Sequence, residues 1–321
     1  MPAVQNVDIS QRQALCLALA SDQAYLPGLL ISAASAALHC DPQRDLEIHI
    51  FDGGIQDASW QRLQALLRRC HPRLSLQRLP LRDSPIFQVR DHGPGRELVY
   101  ARLLIPERIA APRVLYLDVD LLVLGDLAPL FDQPLGSHLA AACVDPIVRQ
   151  LRADPPWPNA PVADPVAPYF NSGVLLIDAD AWRHHAIAAE AFALLRQHSL
   201  TCRFRDQTVL NHLLQGRWLP LESRWNTISR ELRWCRHQGL GPQPLPAVLH
   251  YFDTPKPWLT CLQPQLAHRL WQRQARRLLG PSLLRLLPPL SRRQLLRSRL
   301  QELLSGEGRL RRQAMGQLLR G

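Results

Sequence analysis

The sequence predicts an α/β fold with a mostly parallel central sheet, and three observations carry that reading. Apolar runs of strand length alternate with helix-length segments from residue 14 to residue 198, the order of successive βαβ units. One run, Arg113-Val-Leu-Tyr-Leu117, is followed at once by Asp118-Val119-Asp120. Open α/β sheets bind ligands in the crevice beyond the carboxyl ends of their strands, where such a pair would sit. The chain has 321 residues, enough to bury one α/β domain and carry an appendage.

The elements follow in order. Residues 14–20 are apolar and end in Ala18-Leu19-Ala20, like a signal-peptidase site. Asp8 and Arg12 precede them without positive excess, and the run is at the short limit for a signal core, so it reads as the first buried strand. Leu26–Leu38 is an apolar helix with Pro27 near its first turn. Leu46–Phe51 is a second strand, closed by the turn residues Asp52-Gly53-Gly54. Trp60, Leu63, Leu66 and Leu67 show helical spacing within Trp60–Arg69, and Leu74–Leu79 alternates as a strand. Glu97–Ile105 reads as a helix stopped by Pro106. The strand before the acidic pair is followed by strands at Leu139–Val144 and Val174–Ile177, a helix over Trp182–His198, and a short strand at Ala247–Leu249. The Pro-rich stretch from Asp145 to Pro168 is a long loop, and loops of that length are usually functional.

Charge and cysteine usage narrow the class. Residues 266–321 hold thirteen Arg and two Glu, an excess equal to the whole formal net charge of +11. A near-neutral body over residues 1–263 is therefore expected, with a basic amphipathic helical tail over 264–321. Seven scattered Cys without C-x-x-C spacing argue against a disulfide framework or zinc site and suit reduced thiols. No stretch reaches the ~20 apolar residues of a membrane span. Internal repeats, a P-loop and G-x-G-x-x-G are all missing, so a phosphate-bearing ligand needs another grip.

Two carboxylates one residue apart at a strand end can converge on one point. Like charges held together need a cation or proton between them, and carboxylate oxygens suit Mn²⁺ or Mg²⁺. The bland alternative is a solvated acidic turn. His250 ends the strand Ala247-Val248-Leu249 and is a chemically sound third ligand, although a histidine is more often a satisfied core or surface residue. Lys256 is the only lysine among 38 basic residues. In a chain that otherwise uses Arg, a lone ammonium in His250-Tyr-Phe-Asp-Thr-Pro-Lys256-Pro-Trp258 suggests a point charge for phosphate oxygens.

Taken together, these residues resemble glycosyltransferase family 8, retaining enzymes of the fold called GT-A. The likeness is strongest to the bacterial lipooligosaccharide and lipopolysaccharide galactosyl- and glucosyltransferases. It spans about residues 15–258, through Ala20-Ser-Asp22-Gln-Ala-Tyr25, Phe51-Asp52-Gly-Gly54, Tyr100-Ala-Arg102-Leu, Val114-Leu-Tyr-Leu-Asp118-Val-Asp120, Tyr169-Phe-Asn171-Ser-Gly173, Asp206-Gln207 and His250 to Trp258. The resemblance implies that Asp118, Asp120 and His250 hold Mn²⁺ (or Mg²⁺) on the diphosphate of a UDP-sugar. It implies a uracil contact for Asp22, diphosphate contacts for Arg102 and Lys256, and donor-sugar contacts for Asn171, Asp206 and Gln207. Each has a plainer reading: helix flank for Arg102, N-cap for Asp22 and Asp206, turn for Asn171, helix surface for Gln207.

Three positions depart from the family pattern. Ala24 stands where relatives often have Asn, Thr208 where several carry Asp, and Asp253 where Gly usually lets the backbone approach the diphosphate. Thr208 excludes a covalent aspartyl intermediate at that position. Gln207 is a poor nucleophile, so same-face transfer is expected, with Asp145 as an acceptor-side residue or a loop cap. The function expected is metal-dependent, retaining transfer of galactose or glucose from a UDP-sugar to a saccharide acceptor in surface-glycan synthesis. The alternative is a non-catalytic nucleotide-sugar or membrane-binding protein with a degraded site, as Ala24 and Asp253 would suggest. The Arg- and Leu-rich tail suits an anionic membrane surface at the inner face of a bacterial membrane and a lipid-linked acceptor; the other reading is a helical cap. Nucleic acid is not expected, since Trp271 is the tail's one aromatic that could stack on bases.

Overall fold

The computed structural model describes residues 13–90, 96–229, 245–252, 256–259 and 266–280. Five strands and their helices build the first half: β1 (Leu15–Ser21), α1 (Leu26–His39), β2 (Leu46–Asp52), α2 (Asp57–Cys70), β3 (Leu74–Pro80), a 3-10 helix (Glu97–Leu104), α3 (Ile105–Arg108), β4 (Arg113–Leu117) and β5 (Leu121–Val123). The second half adds α4 (Ala128–Phe131), β6 (Ala140–Val144), β7 (Phe170–Asp178), α5 (Ala179–His184), α6 (Ile187–His198), α7 (Asp206–Leu213), β8 (Trp218–Leu221), β9 (Thr227–Ile228), β10 (Val248–His250) and α8 (Leu266–Leu279).

Seven strands form one sheet in the order β3-β2-β1-β4-β7-β6-β8, and β5-β10-β9 form a second, small one. The pairs β1–β2, β2–β3, β1–β4 and β6–β8 are parallel, whereas β7 runs antiparallel to both β4 and β6. Every residue of β1 is buried, as expected of a central strand covered on both faces. That burial accounts for its continuous apolar run.

Several elements differ from expectation. The helix expected over Glu97–Ile105 is a 3-10 helix, and Pro106 opens α3 instead of ending a helix; proline is well suited to a first turn, whose N–H has no partner anyway. The single helix expected over Trp182–His198 is two, broken at Ala186, whose φ of 50° is left-handed. Asn171, Ser172 and Gly173 lie inside β7, which starts four residues earlier than expected. β5, α7 and β8 are short and carry no clear period, so the sequence pattern passed over them.

The basic helix α8 packs on α1. Ala267, Leu270, Trp271, Ala275 and Leu278 are buried in the main core, while Arg273, Arg276 and Arg277 are exposed. Tyr251 donates to the carbonyl of Ala267 at 2.6 Å, and Trp271 lies 5.8 Å from Trp258. Over residues 266–279 the apolar face read as suited to a membrane is thus turned to the domain core. Residues 281–321, with the rest of the expected tail, lie outside the described residues, as does Asp253.

Candidate functional site

Asp118-Val119-Asp120 is the turn between β4 and β5, clamped from two sides. The Asp118 N–H donates to the carbonyl of Gly173 on β7, and the Tyr251 N–H donates to the carbonyl of Asp120, each at 2.9 Å. From a third side α1 approaches so closely that a Cβ on Gly28 would stand 2.5 Å from the Val119 carbonyl oxygen. β10 pairs antiparallel to β5 with His250 opposite Leu121, which sets His250 beside Asp120. One ligand atom from each of Asp118, Asp120 and His250 lies within 4.8 Å of the others. His250 Nε2 is 3.2 Å from Asp120 Oδ1 and 3.7 Å from Asp118 Oδ2.

Two oxygens and one imidazole nitrogen suit Mn²⁺ by donor chemistry. The cradle also depends on a missing side chain. A Cβ on Gly173 would collide with His250 Cε1 and lie 2.8 Å from Asp118 Oδ2. The three residues therefore fit a divalent cation.

Two cations back the acidic pair. Arg102 reaches in from the 3-10 helix and is buried. It donates to Asp118 Oδ1 at 2.8 Å, to the Val99 carbonyl at 3.1 Å and to the Ser172 carbonyl, and its Nε forms an ion pair with Asp206 Oδ2 at 3.0 Å. Burial opposes its charge, but Asp118 and Asp206 outweigh that and hold the guanidinium protonated. The buried Lys256 ammonium donates to Asp120 Oδ2 at 2.7 Å and to the carbonyls of Tyr251 and Phe252 at 2.8 and 2.9 Å. Burial pushes the Asp120 carboxyl up, yet the charges of His250 and Lys256 prevail and hold it far below the ordinary range.

A cavity of about 420 Å³ opens over these groups. Asp118, Asp120, Arg102 and Lys256 line it, together with Asp22 and Tyr25 at the end of β1 and with Arg96 and Arg205. The expected uracil-side and diphosphate-side residues thus share one crevice beyond the carboxyl ends of β1 and β4, as open α/β sheets favour. Asp22 also accepts the Tyr25 N–H at 2.9 Å, closing a turn ahead of α1, whose N-cap position is Tyr25 and not Asp22. A larger cavity of about 560 Å³ at the ends of β2 and β3 contains none of the expected residues. Its Arg78 is already bonded to Asp52, Asp57 and the Ile55 carbonyl.

Beside the crevice lies a buried layer of amides and carboxylates. Asp145 Oδ1 accepts the backbone N–H groups of Ile147 and Val148, each at 2.8 Å. Its Oδ2 accepts from Asn171 at 2.9 Å and Gln207 at 3.2 Å. Asp145 is therefore a loop cap and at the same time a partner of both expected sugar-lining amides. Gln207 is buried, not on a helix surface, and its Oε1 accepts the Ser172 N–H at 3.0 Å. Asp206 is the first residue of α7, not its N-cap. Burial raises its carboxyl to about 6 against the pull of Arg102, with the charge of Asp118 adding to the rise. Thr208 donates to Asp154 at 2.6 Å, and Tyr169 donates to the same oxygen at 2.5 Å, which ties the 145–168 loop to α7 and β7.

Four contributors escaped the sequence reading. Tyr116 donates to Asp118 Oδ1 at 3.1 Å; its position two residues before Asp118 on one strand was an available signal. Arg96 and Arg205 had none, being two among many arginines. Asn226, in the 3-10 turn before β9, accepts at Oδ1 from His250 Nδ1 at 3.0 Å and donates through Nδ2 to Asn171 Oδ1 at 2.8 Å. A lone Asn beside Trp225 carries no pattern that would mark it.

Residues 16–261 match the family model described as Glycosyl transferase family 8. The chain is 28% identical over 261 residues to the lipopolysaccharide 1,2-glucosyltransferase of Escherichia coli K12, covering 78% of this chain and 75% of that protein. It is also 28% identical to glycosyltransferase GlyF of Streptococcus pneumoniae serotype 4, across 79% of this chain but only 60% of GlyF. Among solved structures, the galactosyltransferase LgtC in complex with donor and acceptor sugar analogues superposes with a TM-score of 0.68 at 25% identity, covering 87% of this chain and 98% of LgtC.

Proposed function

Because this chain belongs to glycosyl transferase family 8, we propose that it transfers galactose or glucose from a UDP-sugar to a saccharide acceptor with retention, in synthesis of lipopolysaccharide or another surface glycan. The observation that carries this reading is the Asp118, Asp120 and His250 cluster, whose two carboxylates line one crevice with Lys256 and Arg102. Asp118, Asp120 and His250 would hold Mn²⁺ or Mg²⁺. When bound, that ion would supply positive charge against the leaving diphosphate.

The chain's own residues do the rest. Asp22 and Tyr25 receive the nucleoside end of the crevice. Lys256 and Arg102 stabilise charge developing on the diphosphate oxygens as the sugar C1–O bond breaks. Asn171, Asp206 and Gln207 orient the donor sugar, and Asp145 marks the acceptor side. A double displacement needs a carboxylate at the anomeric carbon. Asp118 and Asp120 are committed to the cation, Asp206 to Arg102 and Ser172, and Asp145 to four donors. That commitment supports same-face transfer. The acceptor oxygen bonds C1 from the side the phosphate leaves, and its proton passes to a phosphate oxygen.

No helix among the described residues is long and apolar enough to cross a membrane. We place the enzyme in the cytoplasm, at the inner face of the bacterial inner membrane, through basic residues of 264–321 that would also meet a lipid-linked acceptor. The test is release of UDP from UDP-galactose and UDP-glucose with Mn²⁺, with and without saccharide acceptor. Metal-dependent turnover of either donor supports the reading; tight donor binding with no turnover under any acceptor would leave only the non-catalytic alternative.

A further inference from the structure

We infer that Asn226 is a positioning residue that fixes the tautomer of His250 and so its readiness to receive a divalent cation; the inference rests on the metal-site reading above. A chain of hydrogen bonds runs from Asp145 through Asn171 and Asn226 to His250, and its direction is set at backbone groups that cannot turn round. Asp145 Oδ1 takes the N–H groups of Ile147 and Val148, which fixes the carboxylate. Its Oδ2 faces Asn171 at 2.9 Å, so the Asn171 end there is the NH₂. Asn171 Oδ1 then points the other way, where it accepts the Gly173 N–H at 3.0 Å. The same oxygen lies 2.8 Å from Asn226, so Asn226 also presents its NH₂ there. What remains to face His250 Nδ1, at 3.0 Å, is Asn226 Oδ1, an acceptor.

Nδ1 therefore carries a proton. In the neutral ring this leaves Nε2 as a bare lone pair turned toward Asp120 Oδ1 and Asp118 Oδ2. Three acceptors facing one point repel one another until a proton or a cation sits among them. The other tautomer would set a bare Nδ1 against Asn226 Oδ1. Reversing Asn226 to cure that would set two amide oxygens together, and reversing Asn171 as well would aim its carbonyl at Asp145 and its NH₂ at the Gly173 N–H. Asn226, Asn171 and His250 are all buried, so water does not relieve these mismatches. Partners that orient a ligating histidine in this way typically change metal affinity by 10–100-fold when removed.

The test uses full-length protein labelled with ¹⁵N-histidine, free of metal, at pH 8. The His250 resonances are those lost in His250→Gln. Wild type is expected to carry the proton on Nδ1. Asn226→Leu is expected to populate the Nε2-protonated form and to bind Mn²⁺ about 10–100-fold more weakly, read from free Mn²⁺ by electron paramagnetic resonance. Asn226→Asp still accepts from Nδ1 and is expected to hold Mn²⁺ more tightly than Asn226→Leu. A proton on Nε2 with Nδ1 bare in wild type overturns the inference, and so does wild-type Mn²⁺ affinity in a folded Asn226→Leu. If Asn226→Leu does not fold, the wild-type spectrum decides alone. Failure of the metal-site reading shows separately, as equal Mn²⁺ binding by wild type and Asp120→Asn.

Discussion

Lys256 is buried against Asp120, and its three hydrogen bonds go to that carboxylate and to the carbonyls of Tyr251 and Phe252. Removing the ammonium leaves a buried carboxylate without its partner, a change that costs about 3 kcal/mol in comparable pairs. Lys256→Ala should therefore lower the unfolding free energy of the metal-free protein by about that amount, and Mn²⁺ should recover much of it by neutralising Asp120. Urea titrations with and without Mn²⁺ check this; an equal loss in both would mean that no cation reaches Asp120. If Lys256 serves the diphosphate as proposed, the same substitution should weaken UDP far more than uridine, because the lost positive charge would act on phosphate. Gly173 is the second sensitive residue. Gly173→Ala should displace His250 and abolish Mn²⁺ binding while costing only about 1–3 kcal/mol of stability, as overpacking does. Retained Mn²⁺ binding in that variant would show that the cradle is not where the cation sits. At this scale the acidic pair and the lone Lys256 stood out against their sequence background, while His250, one of twelve histidines, gained weight only beside them. Asn226 was not legible, because its role comes from partners far away in the chain, whereas Tyr116 was passed over although it stands two residues before Asp118.

At the scale of elements, α8 and β1 make opposite points about apolar runs. The Leu and Arg spacing of α8 reads equally as a membrane face or as a cap, and only packing distinguishes them. Trp271 is fully buried against Trp258 and the α1 side of the core. Trp271→Ala should cost about 3–5 kcal/mol, measured by urea unfolding, and a chain cut after Gln263 should lose stability and not merely membrane affinity. A change below 1 kcal/mol would return α8 to the status of a loose appendage. β1, by contrast, was legible as a buried strand, and it carries Cys16, whose thiol burial pushes up to about 12, with Glu47 adding to the rise. A thiol raised in the folded state contributes stability that is present below its unfolded value of about 8.5 and is lost as pH rises toward 12. Stability should accordingly fall above pH 9, and Cys16→Ala should make that fall shallower by up to about 1.4 kcal/mol per pH unit. An identical slope in both proteins would contradict the burial of that thiol.

For the whole molecule, the alternation of strands and helices announced an α/β sheet, and the matching stretches announced the family. The antiparallel insertion of β7 between β4 and β6 was not legible, since a continuous apolar run reads the same in either direction. Yet that strand supplies Asn171, Ser172 and Gly173 to the site, because its first residues lie beside the carboxyl end of β4. A site assembled at the ends of β1, β4, β7 and β10 is a property of topology, and the local sequence names its members without showing how they meet. The central claim is that Asp118, Asp120 and His250 bring a divalent cation to the diphosphate of a nucleotide sugar. Calorimetric titration of UDP into wild type, Asp118→Asn and Asp120→Asn, each with Mn²⁺ and with EDTA, tests it most directly. Wild type should bind UDP only when Mn²⁺ is present, and both folded variants should lose that dependence; UDP affinity in Mn²⁺ unchanged by either substitution would mean that these residues bring no cation to the diphosphate.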